Sequence, residues 1–321
     1  MNRAINHLYI FLILGLITIS SCEKIIDVTL PERDKKIVVN SAITPDSLII
    51  VNLSKSIGVF DDEQVDFINN ANIEIYSDGI LIDQLILINQ MGNYSSSTYY
   101  PVLGQNYYIK INVPDITPVT ANCTIPYPVE IISWDTTSFT NNWGEESMRA
   151  SINFDDPDSI DNYYWFRAKT IETYVETDSL GFLIYDDNKN PITYEDEGFV
   201  WIGTHQINSG IEDGADFQNG LFFSDKLFSG NSFELNFELF PFQRLKRFPD
   251  IVKAKLILEL HSVTKDFFLY ASSYSRHINT QGITFLEPIQ VYNNIDKGFG
   301  IFAGYSTHRD SLILFDLLGN Q

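Results

Sequence analysis

A mainly β protein is what this sequence predicts, and three observations predict it. Aromatic residues are dense, with 23 Phe and 17 Tyr in 321 residues against only 3 Met and 18 Gly, a balance that suits half-buried pleated surfaces better than helix bundles. Apolar residues recur with period two, most cleanly at Phe233, Leu235, Phe237 and Leu239 with Glu234, Asn236 and Glu238 between them, as a strand with one buried face requires. The alternating runs are short and separated by Gly, Asn, Asp and Ser, as in antiparallel sandwiches. The length favours two domains, and a hydrophobic fraction of 44% is enough to fill two cores. The expected architecture is an immunoglobulin- or transthyretin-like β-sandwich over residues 37–126, followed by a larger β-sandwich-like domain over residues 129–321 with one short helix.

Residues 1–21 read as a lipoprotein signal peptide. Arg3 supplies the positive start, residues 8–19 form an apolar run, and Ile19-Ser20-Ser21-Cys22 places small residues directly before a cysteine. Twelve apolar residues are too few for a hydrocarbon core that needs about 20 helical residues, so a cleaved export signal is expected instead of a membrane helix. Cleavage before Cys22 would free its thiol for a diacylglycerol and its amine for a third chain. Two or three acyl chains, at about 0.8 kcal/mol per buried methylene, anchor a protein stably where one does not. Residues 22–36 mix charges around Pro31 and read as a tether.

From residue 37 the chain alternates. Ile37-Val38-Val39 opens the first strand, and Ile49, Val51 and Leu53 keep a period of two. Ser77-Asp78-Gly79 is a hairpin signal, with residues 80–88 expected as the return strand. Tyr107, Ile109, Ile111 and Val113 share a face, as do Ala121, Cys123 and Ile125. Ile125-Pro126-Tyr127-Pro128 marks the expected boundary, because two prolines one residue apart cannot join a central ladder. Beyond it Met148, Ala150, Ile152 and Phe154 alternate, an acidic turn follows over 155–162, and residues 163–174 form a long aromatic strand. Residues 253–263 read as another strand, with Leu256, Leu258 and Leu260 inward and Glu259 and His261 outward. Thr264 is placed to cap a helix whose stripe is Phe267, Ala271, Tyr274 and Ile278, with Gly282 ending it. The glycine-spaced run 294–302 precedes a last strand around 312–317. Its glycines serve either close packing or the approach of a ligand backbone, and packing against the helix is the reading adopted.

Charge and motif content narrow the function classes. The formal charge is −21 and becomes one unit more negative once residues 1–21 are removed, a field that repels phosphate backbones and anionic headgroups and so argues against nucleic acid. With Cys22 acylated, Cys123 has no partner and reads as a small buried hydrophobe. The metal candidate is Asp155, Asp156, Asp158 and Asp161, because calcium wants several hard oxygens on one turn; the spacing is not that of an EF-hand, and acids also crowd turns to cap backbone amides. A second polar turn is Asp186-Asp187-Asn188-Lys189-Asn190-Pro191. His205, His261, His277 and His308 are scattered, with no zinc spacing, nucleophile elbow or phosphate loop around them. Trp143 and Trp201 are read as completing a β core, with stacking on a sugar ring as the alternative.

The ends of the chain carry a resemblance. Cys22-Glu23-Lys24-Ile25-Ile26-Asp27-Val28-Thr29-Leu30-Pro31 before Lys36-Ile37-Val38-Val39, then residues 264–274, Phe285-Leu286-Glu287-Pro288 and Gly298-Phe299-Gly300-Ile301-Phe302, resemble Bacteroidota lipoproteins of domain-of-unknown-function family 4249. Where those proteins usually carry Glu-Gly after the Val-Val pair, this chain has Asn40-Ser41. The resemblance implies an outer-membrane, cell-surface lipoprotein associated with a TonB-dependent transporter, and it assigns no catalytic residue. The expectation is therefore a non-enzymatic accessory or ligand-binding lipoprotein with no cofactor, calcium being the one ion the acidic turn would admit. The alternatives are a calcium-supported glycan or peptide hydrolase and a structural envelope protein.

Overall fold

The computed structural model describes residues 34–58, 64–140, 144, 146–158, 160–199, 201–203, 211, 215–240, 251–281, 287 and 289–317. The expected leader, the acylated Cys22, nearly all of the tether, Trp143, His205 and Gly282 lie outside them. Residues from Lys35 onward form one compact unit.

The first stretch yields β1 (Ile37–Ile43), β2 (Ile50–Lys55), β3 (Asn72–Ser77), β4 (Ile80–Gln84), β5 (Ile86–Asn89), β6 (Asn93–Ser95), β7 (Asn106–Val113) and β8 (Ile116–Thr124). The second yields β9 (Ser133–Thr140), β10 (Glu146–Asp155), β11 (Tyr163–Val175), β12 (Thr193–Phe199), β13 (Trp201–Gly203), β14 (Ala215–Phe217), β15 (Gly220–Ser224), β16 (Ser232–Phe240) and β17 (Ile251–Val263). The helix α1 (Lys265–Thr280) and the long β18 (Phe299–Asp316) complete the order. The mainly β expectation holds, with one helix among the described residues. That helix is too short and too polar to cross a membrane.

One ten-stranded sheet runs β14-β15-β11-β17-β18-β1-β2-β6-β5, with β12 also paired to β11. Two four-stranded sheets, β4-β3-β7-β8 and β13-β16-β10-β9, complete the topology. The first small sheet faces one end of the long sheet over a core that includes Val51, Ile73, Ile75, Tyr107, Ile109, Ile111 and Cys123. The second faces the other end over Ile152, Phe154, Phe166, Leu235, Phe237 and Leu258. The cores change hands at the Ile125 to Val129 segment, where the sequence places its boundary. The long sheet does not break there, because β1 pairs in parallel with β18, Val39 opposite Gly300.

Local chemistry explains the elements. Asp78 and Gly79 both adopt positive φ, 49° and 79°, as a tight β3–β4 hairpin turn demands. The expected return strand over 80–88 divides at the buried Leu85: β4 stays in the small sheet and β5 crosses to the edge of the long one. Thr264 caps α1 by accepting from the Phe267 amide at 3.4 Å, and Gln281 occupies the C-cap.

The glycine run is a correction of partner. Its glycines pack, but against β1 and β8 and not the helix: a Cβ on Gly298 would meet the Ile37 carbonyl at 2.7 Å and the Val119 side chain at 2.9 Å, and one on Gly300 would run into the Val39 carbonyl. Glu259 and His261 are also corrected. Period two in β17 reads them as outward, yet they are 1% and 0% exposed, because α1 packs on the far face of the long sheet, where His261 stacks on Trp165, and Arg167 and Arg309 close over Glu259.

Candidate functional site

Two arrangements on that covered face concentrate the chemistry of the chain. The inner one is a charge cluster centred on Glu259. Cross-strand register sets Arg167 on β11 and Arg309 on β18 directly opposite it. Arg167 Nη2 donates to Glu259 Oε2 at 2.7 Å and Arg309 Nε to Oε1 at 2.9 Å, while Lys169 Nζ stands 3.6 Å away. Burial alone would raise the Glu259 pKa, but His261 Nε2 at 3.7 Å, the hydrogen bond from Arg309 and the charge of Arg167 outweigh it and hold the carboxyl below its usual range. His261 contacts Thr307 Oγ1 through Nδ1 at 2.8 Å and stacks on Trp165 at 4.5 Å. Burial depresses its pKa, assisted by Arg167 and Arg309 against the pull of Glu259. The Arg167 guanidinium lies over the Trp165 ring at 4.3 Å. With both Glu259 oxygens taken by cations, this cluster ties three strands together.

The outer arrangement is an open groove of about 560 Å³, lined by Asn40, Asp216, Phe217, Gln218, Tyr270, Tyr274, Ser275, Ile278 and Asn279. Three separate segments build it. The helix contributes the lower half of its apolar stripe: Phe267 and Ala271 are buried, whereas Tyr274 and Ile278 are 37% and 44% exposed. The β14–β15 turn contributes Phe217 and Gln218, with Gln218 and Asn219 both at positive φ. That turn is held from below, since a Cβ on Gly220 would strike Trp165 Nε1 at 2.4 Å; glycine there lets the hairpin sit down on the tryptophan. Strand β1 contributes Asn40. The groove's size is that of small-molecule sites.

The structure separates the acidic-turn candidates. Asp156 points inward, 6% exposed, where it accepts from the Tyr164 hydroxyl and from the Gly230 amide at 2.8 Å. Burial raises its pKa despite those donors. Asp155 accepts from Ser232 Oγ, and Asp158 and Asp161 are exposed. Among the described residues no group of three or more His, Cys, Asp or Glu is arranged to hold a metal ion. The second polar turn is likewise self-satisfied, Asp186 Oδ1 accepting from the Asn188 and Asn190 amides at 2.9 and 2.8 Å. Asp156→Ala is expected to cost about 1–3 kcal/mol through its stranded partners, equally in EDTA and in millimolar calcium; denaturant titration in both would show it, and a loss seen only with calcium would make the turn a metal site.

The remaining candidates resolve individually. Cys123 is buried in the first core, and burial pushes its thiol pKa far up, away from nucleophilic use. His277 Nδ1 contacts the Ile289 carbonyl, and His308 Nδ1 accepts from the Ile131 amide at 3.0 Å. The backbone of Trp201 lies in β13.

No curated protein matches this sequence. The family model described as Domain of unknown function (DUF4249) matches residues 23–311, a span that includes every residue named above for the groove and for the charge cluster. The chain belongs to that family.

Proposed function

We propose that this protein is a non-enzymatic, ligand-binding lipoprotein of a Bacteroidota outer membrane, facing the cell surface and assisting a TonB-dependent transporter. The groove is the observation that carries the binding half of this reading. Its described lining offers aromatic faces, amides and hydroxyls, with Asp216 as its one acidic residue. Such a set suits holding a molecule; general acid–base chemistry wants two titrating groups with pKa values driven apart. The location half is supported by the apolar run that ends in Ile19-Ser20-Ser21-Cys22 and by the permanence of multiple acyl chains. The acidic surface favours basic or neutral partners over anionic ones.

The test uses the full-length tagged protein expressed in its native membrane. Mass spectrometry is expected to find Cys22 as the first residue, carrying acyl chains, and a TonB-dependent receptor is expected to co-purify. Cys22→Ala should move the protein to the soluble fraction and lose the receptor. An unmodified Cys22, or a native protein that solubilises without any receptor, overturns the proposal.

A further inference from the structure

We infer that the groove takes a neutral saccharide, an assignment that rests on the binding role proposed above and specifies its ligand. The first argument is an aromatic platform that is already set. Tyr270 and Tyr274, one helical turn apart, lie 6.1 Å centroid to centroid with an interplanar angle of 22°. Phe217 meets both edge-on, at 6.2 and 5.4 Å. These contacts fix the Tyr274 ring while leaving it over a third exposed, so an incoming ring can stack on it with little loss of side-chain freedom. A sugar presents such a stacking surface through its C–H groups.

The second argument is the polar set around the platform. A sugar hydroxyl both donates and accepts, and carboxamides do both from one planar group. Asn40, Gln218 and Asn279 supply three carboxamides, from a strand, a turn and a helix, and Ser275 and Asp216 add a hydroxyl and a carboxylate. The positive φ at Gln218 and Asn219, with Phe217 paired to Gly220 across the turn, holds that lip of the groove in place before any ligand arrives.

The third argument is charge. Among the described lining residues there is no Lys, Arg or His, and the chain carries −21. Phosphorylated, sulfated or uronate ligands would meet a like-signed field without a compensating cation. Long apolar ligands would leave the carboxamides desolvated and unpaired. A neutral polyhydroxylated ring satisfies both constraints.

The experiment is calorimetric titration of the full-chain protein with neutral gluco-, manno-, galacto- and xylo-oligosaccharides, beside uronate oligosaccharides and neutral and lysine-rich peptides. At least one neutral series is expected to bind. Tyr274→Ala should weaken it about tenfold, which corresponds to about 1.4 kcal/mol of stacking, Tyr274→Phe should retain it, and Asn279→Ala should weaken it with the thermal midpoint unchanged. Failure of every neutral saccharide, tighter binding of uronates or peptides, or affinity indifferent to Tyr274→Ala overturns the inference. Receptor co-purification reports separately: a receptor without saccharide binding sinks only the ligand class, and saccharide binding without a receptor sinks only the transport partnership.

Discussion

Glu259→Ala is expected to cost this protein about 3–5 kcal/mol, a large part of the 5–15 kcal/mol that a natively folded chain commonly has in hand. The side chain is 1% exposed and accepts from Arg167 at 2.7 Å and from Arg309 at 2.9 Å. Removing it takes from Arg167, itself only 19% exposed and lying over Trp165, the carboxylate it meets at 2.7 Å. Arg309, half exposed, can recover water, so Arg309→Ala should cost less than Glu259→Ala. Urea unfolding of the two variants would establish the order, and a Glu259→Ala loss within 1 kcal/mol would refute the cluster's structural role.

The same cluster fixes a pH dependence. His261 has a folded pKa below its ordinary 6.5 because of burial, so the unfolded chain binds a proton there first, and stability falls as pH drops through about 6.5. Glu259 has a folded pKa below its ordinary 4.5; its contribution is fully present above that value and is lost as pH falls through and below it. Both effects have one sign, which predicts a two-stage decline from pH 7.5, shallow first and steeper below about 4.5. In Glu259→Gln the second stage should shrink. Denaturant titrations at pH 7.5, 5.5 and 4.0 would resolve the stages, and equal stability at the first two would contradict the neutral, buried His261.

What was legible in the sequence was one-sided periodicity. Phe233, Leu235 and Phe237 announce β16, and Thr264 announces the start of α1, because each depends on neighbours a few residues away. Period two gives the alternation of β17 but not what lies beyond its second face, so Glu259 and His261 read as solvent-facing. The burial of Glu259 becomes tolerable through Arg167 and Arg309, 92 and 50 residues distant, which no local pattern reports. The groove is illegible for the same reason, since Asn40, Phe217 and Tyr274 come from three remote segments. Its one trace in the sequence is that the helix stripe continues through Tyr274 and Ile278 farther than the core can use. Acid spacing misled in the opposite direction: Asp156 belongs to a turn of solvated acids by sequence, yet the Tyr164 hydroxyl and the Gly230 amide draw it inside.

Gly300→Ala is expected to cost more than about 4 kcal/mol, a loss reserved for substitutions that break packing outright. Two penalties fall together there. Its φ of +104° is one that side chains rarely adopt, worth about 1–3 kcal/mol, and a Cβ would lie 1.9 Å from the Val39 carbonyl oxygen. That oxygen belongs to the parallel ladder of β1 and β18, with residues 38–43 paired in register to residues 299–304, so relief requires the strands to separate. Separation would withdraw Phe302 from the first core, which it enters from beyond this seam. Gly79→Ala isolates the conformational penalty, since its φ is +79° and nothing lies within 4 Å of the added carbon; it should cost about 1–2 kcal/mol. Measured side by side by denaturant unfolding, the difference between the two variants reports the closeness of β1 to β18. Equal losses would mean that the first and last strands do not meet as described, and the continuous sheet that positions Asn40 beside the helix would have to be redrawn.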